Sequence, residues 1–345
     1  MNRKICFALV MFLVLSNDLP AQHKTGSIYP DSLVKPRMRV MIDNDFGGDP
    51  DGLFALVHHL LSPSVEIRGI IGSHLKPGDF WDPSKETATH AKNKISEVLR
   101  IMNLDKTYAA YQGSNFPLEN INTPQQSEAA NAIIKEAMRD DSKLPLYLVC
   151  GAGLTDIASA WLIQPEIAKR LTLIWIGGPE YPELALPPPG YTSLEYNLNI
   201  DLKAVQVIFN KSSIPIWQVP RNVYRQVIMP YSSMLLKVKT QGAIGAYLTQ
   251  AIETIMKTAL KYNFNIGEVY ITGDSPLVLL TALQSTFEPD PSSSFYNLRP
   301  SPLVNDQGLY EVNHAGRNIR VYTQLDVQLL LEDFYSKLVL FNQEK

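Results

Sequence analysis

From Pro36 onward, short apolar or β-branched runs alternate with longer stretches whose apolar residues recur at helical spacing. A short run suits one strand, and a long stretch suits a helix that carries the chain back, so successive strands run parallel. The alternation therefore predicts an α/β fold, a Rossmann-like open and mostly parallel sheet flanked by helices. Expected strands cover residues 38–42, 65–71, 146–150, 171–176, 215–219 and 269–272. Expected helices cover 52–61, 83–102, 127–139, 155–163, 202–210, 243–262, 276–284 and 326–341. No linker rich in Pro, Gly or Ser splits this run, so residues 37–345 are read as one domain behind an exposed segment, 22–36. The stretches 179–190 and 289–302 read as long loops, the first as a cover over a site.

Ahead of that domain, Arg3 and Lys4 precede an apolar run over residues 5–15, and Ala21 offers a small residue for cleavage. The run is too short to span a bilayer, so residues 1–21 read as a secretory signal and the mature chain as secreted or periplasmic. Cys6 lies before the apolar core, where no lipoprotein cysteine would sit, so no stable membrane association is expected after cleavage. Cys150 is then the one cysteine of the mature chain, which leaves no internal disulfide to expect. With 31 Lys and Arg against 34 Asp and Glu, there is no basic field for nucleic acid, which is not expected as a partner.

In such a sheet ligands bind outside the carboxyl ends of the strands, so the residues just after each apolar run carry the chemistry. Those positions are acidic. The first strand leads into Asp43-Asn44-Asp45-Phe46-Gly47-Gly48-Asp49-Pro50-Asp51, four carboxylates in one turn that opens a helix. Capping the helix and its dipole would employ one or two of them. Four repel one another unless some are protonated or a cation sits among them. A hard divalent ion with oxygen ligands meets the need, and Ca²⁺ tolerates a flexible turn better than Mg²⁺. A further carboxylate, Asp274, follows the expected strand 269–272 and precedes Pro276 at a helix start. A phosphatase of the haloacid dehalogenase kind would use Asp43 as nucleophile and Asp45 as acid/base. It would need Thr or Val at Gly47 and a second aspartate at Val278, and it has neither.

More of the chain resembles the inosine-uridine nucleoside hydrolase family. Asp43, Asp45, Gly47 and Asp49 match in part its Asp-Thr-Asp-Pro-Gly-x-Asp-Asp-Ala turn. Gly151-Ala152-Gly153-Leu154-Thr155-Asp156-Ile157-Ala158 is similar to its Gly-Pro-Leu-Thr-Asn-Ile-Ala, and Ile176-Gly177-Gly178 to its Met-Gly-Gly. Glu195-Tyr196-Asn197-Leu198-Asn199-Ile200-Asp201 resembles its Glu-Phe-Asn-x-x-x-Asp, and Val219-Pro220-Arg221-Asn222-Val223 its Pro-Leu-Asp-Val segment. Five landmarks stand in family order across most of the mature chain. The resemblance implies the nucleoside hydrolase fold and an enzyme that cleaves the N-glycosidic bond of a small ribonucleoside. By the same resemblance, Asp45 binds Ca²⁺ and acts as general base on a metal-bound water. Asp49, Asp51, the Gly151 carbonyl and Asp274 complete the protein ligands, and Asp49, Ser73, His74, Ile176, Glu195 and Asn197 face the substrate. Homo-oligomers are implied as well, since members are commonly dimers or tetramers.

The chain departs from the family pattern at three places. Pro50 stands where the second of two adjacent aspartates belongs, and Asp51 follows it as the replacement ligand, with the proline suited to a first helical turn. Gly273 stands where one subgroup carries a histidine that protonates the leaving base, so stacking on Trp81, Tyr181, Tyr191 or Tyr270 would have to serve. Ser73 and His74 lie where the family has a sugar-binding asparagine, and His74 is either a polar contact or a loop residue. His58 and His59, inside the first helix, read as packing and surface residues. Two other functions stay open: hydrolysis of another ribosyl or pentosyl glycoside, and a periplasmic sugar- or nucleoside-binding protein without catalysis.

Overall fold

Residues 38–44 alternate their side chains between two apolar layers: Met38, Val40 and Ile42 join one core, Met41 the other. A strand buried on both faces must sit inside a sheet with helices on either side, and that is where this one lies. The computed structural model describes residues 29, 33–191, 193–285 and 294–343, so the expected leader 1–21 lies outside the described residues. Among them the strands are β1 (Met38–Asn44), β2 (Val65–Gly72), β3 (Ala110–Gln112), β4 (Leu146–Gly151), β5 (Leu171–Ile176), β6 (Ile216–Val219), β7 (Ile228–Pro230), β8 (Val269–Ile271), β9 (Phe295–Pro300), β10 (Leu303–Val304), β11 (Tyr310–Glu311) and β12 (Asn318–Gln324). Eight form one sheet in the order β3-β2-β1-β4-β5-β6-β12-β9, parallel throughout except for β9 against β12.

The helices are α1 (Asp51–Leu60), α2 (Thr87–Ile101), α3 (Glu128–Ala137), α4 (Thr155–Ile163), α5 (Tyr196–Ile200), α6 (Leu202–Gln206), α7 (Arg221–Tyr224), α8 (Tyr231–Ser233), α9 (Gly242–Lys261), α10 (Pro276–Leu279) and α11 (Val327–Gln343). Helices α1, α2, α9, α10 and α11 contribute to one core, while α3, α4 and α6 contribute to the other. Strand order runs outward through β2 and β3 on one side of β1 and through β4, β5 and β6 on the other. The direction of winding thus reverses between β1 and β4, and a crevice opens at their carboxyl ends. Register fixes what faces that crevice, for Asn44 pairs with Gly151.

Four expectations are corrected by the fold. Residues 269–271 form a strand, but one that pairs antiparallel with β7 in a separate ribbon, Met229 opposite Tyr270. Beside β6 the sheet instead takes β12, whose Ile319 and Val321 alternate into one core and whose Tyr322 turns to the other. The stretch 289–302 holds β9, an edge strand that presents mostly exposed side chains and so lacks an apolar run. The helix expected at 276–284 keeps regular geometry only over α10, and that at 202–210 passes from α6 into a π-turn over Val207–Lys211.

His58 and His59 are both buried, so neither is a surface residue. His58 Nε2 meets Asp333 Oδ2 of α11 at 2.6 Å, and Lys337 Nζ reaches the same oxygen at 2.6 Å. His59 bridges the Ala55 carbonyl, 3.2 Å, and the Thr281 hydroxyl, 3.1 Å. Among the described residues no helix is long and apolar enough to cross a membrane.

Candidate active site

The turn after β1 must bring the chain from the sheet into α1 within a few residues, and its glycines make the close approaches that requires. Gly48 N donates to the Asp45 carbonyl at 2.8 Å, and a Cβ on Gly48 would stand 2.8 Å from the Leu75 side chain. Pro50 then sits at the helix start in αR geometry, and Asp51 occupies the first turn, where a carboxylate favours the dipole. Gly52 packs so tightly on Asn44 that an added Cβ would come within 2.7 Å of its amide oxygen.

The turn, the end of β4 and the residues after β8 together floor a cavity of about 500 Å³. Asp45, Asp49, Asp51, Gly151 and Asp274 line it, as do Ile176, Glu195 and Asn197. Eight of the ten residues picked from sequence are therefore brought together in one place. Ser73 and His74 lie outside the lining, and the expected sugar contacts are withdrawn for them. The Ser73 hydroxyl donates to buried Asp43 Oδ1. His74 spends Nδ1 on the Leu75 carbonyl, 2.7 Å, and Nε2 on Thr155 Oγ1, 2.8 Å, so neither ring nitrogen is free for a substrate.

Electrostatics dominate the floor. Burial, reinforced by Asp274 and Asp49, holds the Asp45 carboxyl well above the usual carboxylate range, and burial with its three acidic neighbours does the same to Asp51. Burial lifts Asp49 to about 6, although the Tyr270 hydroxyl donates to its Oδ1 at 2.7 Å. Asp274 is lifted to about 7, again chiefly by burial, against a 2.9 Å hydrogen bond from Asn44 Nδ2 to its Oδ2. The Asp274 backbone N–H donates to Asp51 Oδ2 at 3.2 Å, so the residue after Pro50 does reach the cluster. None of the four carboxylates has an ion-pair partner among the described residues.

Such a donor set fits a hard divalent cation: oxygen ligands only, buried or partly buried, and with no ion pair to balance them among the described residues. A Cβ at Gly151 would stand 2.6 Å from Asp274 Cγ, so the absence of a side chain there lets the carboxylate close over the Gly151 backbone. As they stand, no group of three or more acidic, histidine or cysteine side chains among the described residues is drawn together closely enough to hold a metal ion. The carboxylates share one floor and feel one another's charge.

On the facing wall, Glu195 caps α5. It accepts from the backbone N–H groups of Gly178 (2.7 Å), Leu198 (2.9 Å) and Asn197 (3.2 Å), and from the Tyr224 hydroxyl (2.9 Å). Asn197 donates its amide to the Ile176 carbonyl at 2.8 Å, which ties α5 to the end of β5. Tyr191 of the loop 179–190 region lines the cavity beside Pro188, Pro189 and Gly190, so this loop does border the site. Of the other aromatics considered, Tyr270 serves Asp49, Tyr181 is buried with its hydroxyl on Gln218, and Trp81 packs edge-on against Phe80.

Sequence reasoning missed Asn44, Tyr196, Tyr224, Arg221 and Arg225. The Tyr224 ring fills the space beside Gly273: a Cβ on that glycine would lie 3.2 Å from its Cδ2. The signal lay in the spacing Arg221, Tyr224, Arg225 just after β6, three polar-ended side chains on one face of a single helical turn.

Comparison with known proteins accords with this geometry. Residues 40–331 match the family model of the inosine-uridine preferring nucleoside hydrolases. An inosine-uridine preferring nucleoside hydrolase of Crithidia fasciculata is 34% identical over 105 residues, 30% of this chain and 30% of that protein's length. A solved plant nucleoside hydrolase superposes with a TM-score of 0.66 at 16% identity, over 88% of this chain and 99% of its own. A purine-preferring ribonucleoside hydrolase from Gardnerella vaginalis gives 0.66 at 15% identity, over 89% and 100%. At such identities the structural likeness speaks for the fold.

Proposed function

Because the chain belongs to the inosine-uridine preferring nucleoside hydrolase family, we propose that it hydrolyses the N-glycosidic bond of a ribonucleoside, with Ca²⁺ held by Asp45, Asp49, Asp51, Asp274 and the Gly151 carbonyl. The observation that carries this reading is the cluster of four carboxylates on the cavity floor, Asp45 and Asp274 buried and Asp49 and Asp51 partly buried, none with an ion-pair partner among the described residues. A bound divalent cation balances those charges and makes water acidic enough to lose a proton near neutral pH.

The remaining work falls to the chain's own groups. Asp45, buried just past the end of the first strand and lining the cavity, is the base that takes the proton from the attacking water. Asp49 is steered by the Tyr270 hydroxyl, and its free oxygen is available to a sugar hydroxyl. Cleavage builds positive charge on the ring oxygen and anomeric carbon, and a floor of carboxylates favours that charge over the neutral ground state. Glu195 lines the same cavity, fixed by four donors, so its charge is preorganised at no cost in reorganisation during the reaction. The leader-like residues 1–21 support action outside the cytoplasm.

The test is release of free ribose from a panel of purine and pyrimidine nucleosides by the wild type and by Asp45→Asn. Release that falls at least 1,000-fold in the variant, roughly what loss of a general base and a metal ligand together costs, supports the reading. A variant as active as the wild type would remove Asp45 from the chemistry.

A further inference from the structure

The cavity is lined by two kinds of residue, and the chemistry proposed for the carboxylates does not use the second. Helix α7 leaves β6 through Pro220, and its turn brings Arg221, Tyr224 and Arg225 to the cavity lining, with the Tyr224 ring and Asp51 Oδ2 both beside Gly273. Among the described residues that line the cavity, these two arginines are the only cations. Arg221 is 5% exposed and grips Glu180 with Nε, 2.7 Å, and with Nη2, while the Tyr191 ring lies 4.1 Å from its Cζ. Its third nitrogen, Nη1, is buried and has no hydrogen-bond partner. A buried guanidinium N–H left unmade is costly, and such groups are retained where a ligand completes them. One turn further on, the guanidinium of Arg225 forms no ion pair or side-chain hydrogen bond with any described residue, although it too borders the cavity.

Glu180 pairs with Arg221, and Glu195 accepts from Tyr224 between the two arginines, so this part of the lining is close to neutral overall; what it offers a ligand is the Arg225 guanidinium, without a side-chain partner among the described residues, and one idle donor on Arg221. A neutral nucleoside supplies nothing that needs both. A carboxylate or phosphate supplies the charge and several acceptor oxygens in the planar or tetrahedral geometry that guanidinium groups recognise. The acidic floor repels such a group, which fixes the orientation of the ligand: sugar toward the aspartates, acid toward the arginines.

We propose, resting on the ribosyl hydrolase reading above, that the cavity takes a riboside bearing an acidic group, carboxylate or phosphate, held by Arg225 and by Nη1 of Arg221. The probes are uridine, orotidine (the same riboside with a carboxylate on the base) and uridine 5′-monophosphate (the same riboside with a phosphate on the sugar). Dissociation constants are read by calorimetry on Ca²⁺-loaded Asp45→Asn protein, and kcat/KM for sugar release on the otherwise wild-type enzyme. Each measurement is repeated with Arg225→Gln and Arg225→Lys.

One acidic riboside should bind at least 10-fold more tightly than uridine. Arg225→Gln should reduce that ratio by about 10- to 100-fold, the usual worth of a hydrogen-bonded charge pair, and Arg225→Lys should keep part of it. A preference in the orotidine arm places the acid on the base, and one in the monophosphate arm places it on the sugar. Equal binding of all three, or a ratio that Arg225→Gln leaves unchanged, overturns the inference. Sugar release without acidic preference would leave the hydrolase reading standing and refute this one. Acidic preference with no release from any riboside would do the reverse.

Discussion

Replacing Gly151 by alanine tests the architecture of the floor with a single methyl group. Gly151 ends β4 opposite Asn44, and its backbone is not in the left-handed region, so alanine is free to adopt the same conformation. The new Cβ would stand 2.6 Å from Asp274 Cγ and 2.5 Å from Asn44 Nδ2. Ordinary contact begins at 3.4 Å, so Asp274 must recede by the difference from 2.6 Å, about 0.8 Å. It has little freedom to do so. Its backbone N–H is held by Asp51, its Oδ2 by Asn44, and Asn44 is itself wedged against Gly52 at the start of α1. The strain should cost about 1–3 kcal/mol of stability, the usual penalty for an added methyl in a packed site. A displacement of nearly 1 Å at reacting groups should lower kcat/KM by roughly 100-fold and weaken Ca²⁺ binding in parallel. Circular dichroism and urea unfolding would verify the fold, calorimetry the ion, and ribose release the rate. A folded Gly151→Ala protein with kcat/KM within about threefold of wild type and unchanged Ca²⁺ affinity would refute the reasoning, because the carboxylate would then not be where activity needs it.

Three further outcomes follow from named contacts. Tyr224→Phe keeps the ring beside Gly273 but removes the 2.9 Å bond to Glu195, and should lower kcat/KM by about 10-fold while stability changes by under about 1 kcal/mol; an unchanged rate would show that Glu195 needs no such support. Lys337→Met leaves Asp333 with His58 alone and Ser62 without its donor, and urea unfolding should show a loss of about 3 kcal/mol, a neutral result contradicting the buried pair. Burial holds His58 down at about 4 in the folded chain, below its ordinary value of 6.5, so the unfolded chain binds the proton first as pH falls. Stability from this group is therefore fully present above pH 6.5 and is lost as pH falls through about 4, by about 1.4 kcal/mol per pH unit at most. The unfolding free energy of wild type minus that of His58→Gln should show this slope between pH 6.5 and 4, and a difference independent of pH would contradict it.

The parallel half of the fold was legible because strands buried on both faces leave continuous apolar runs, as in Leu171–Ile176, whose observed bounds equal the expected ones. The edge was not. Phe295–Pro300 pairs through its backbone while most of its side chains are exposed and Tyr296 alone is packed against the core, and so sparse an apolar pattern leaves little trace in hydropathy. Val269–Ile271 was visible as a strand, but three residues say nothing about which partner they take, and β7 claims them.

The floor of the site could be read because charge repulsion makes four carboxylates in one turn conspicuous in any sequence. Asn44 escaped notice since one amide among aspartates has no such signature, although it pins Asp274. His74 shows the opposite error. A histidine at a strand end suggests a ligand contact, yet both nitrogens proved to be engaged by Leu75 and Thr155, a fact that only packing across 81 residues of sequence reveals. The arginine wall of α7 was hidden for a related reason: whether a guanidinium is spent on a carboxylate depends on Glu180, 41 residues away.

The measurement closest to the central claim is the product balance of the reaction under control of the ion. The mature protein is incubated with the best riboside of the panel, then stripped with a chelator, then supplied with Ca²⁺ again, and free base and free reducing sugar are quantified at each stage. The account predicts base and sugar in equal amounts, loss of both on chelation and recovery of both with Ca²⁺. Equal release in the presence of excess chelator would contradict it, since the carboxylate floor would then be working without the cation it is built to hold.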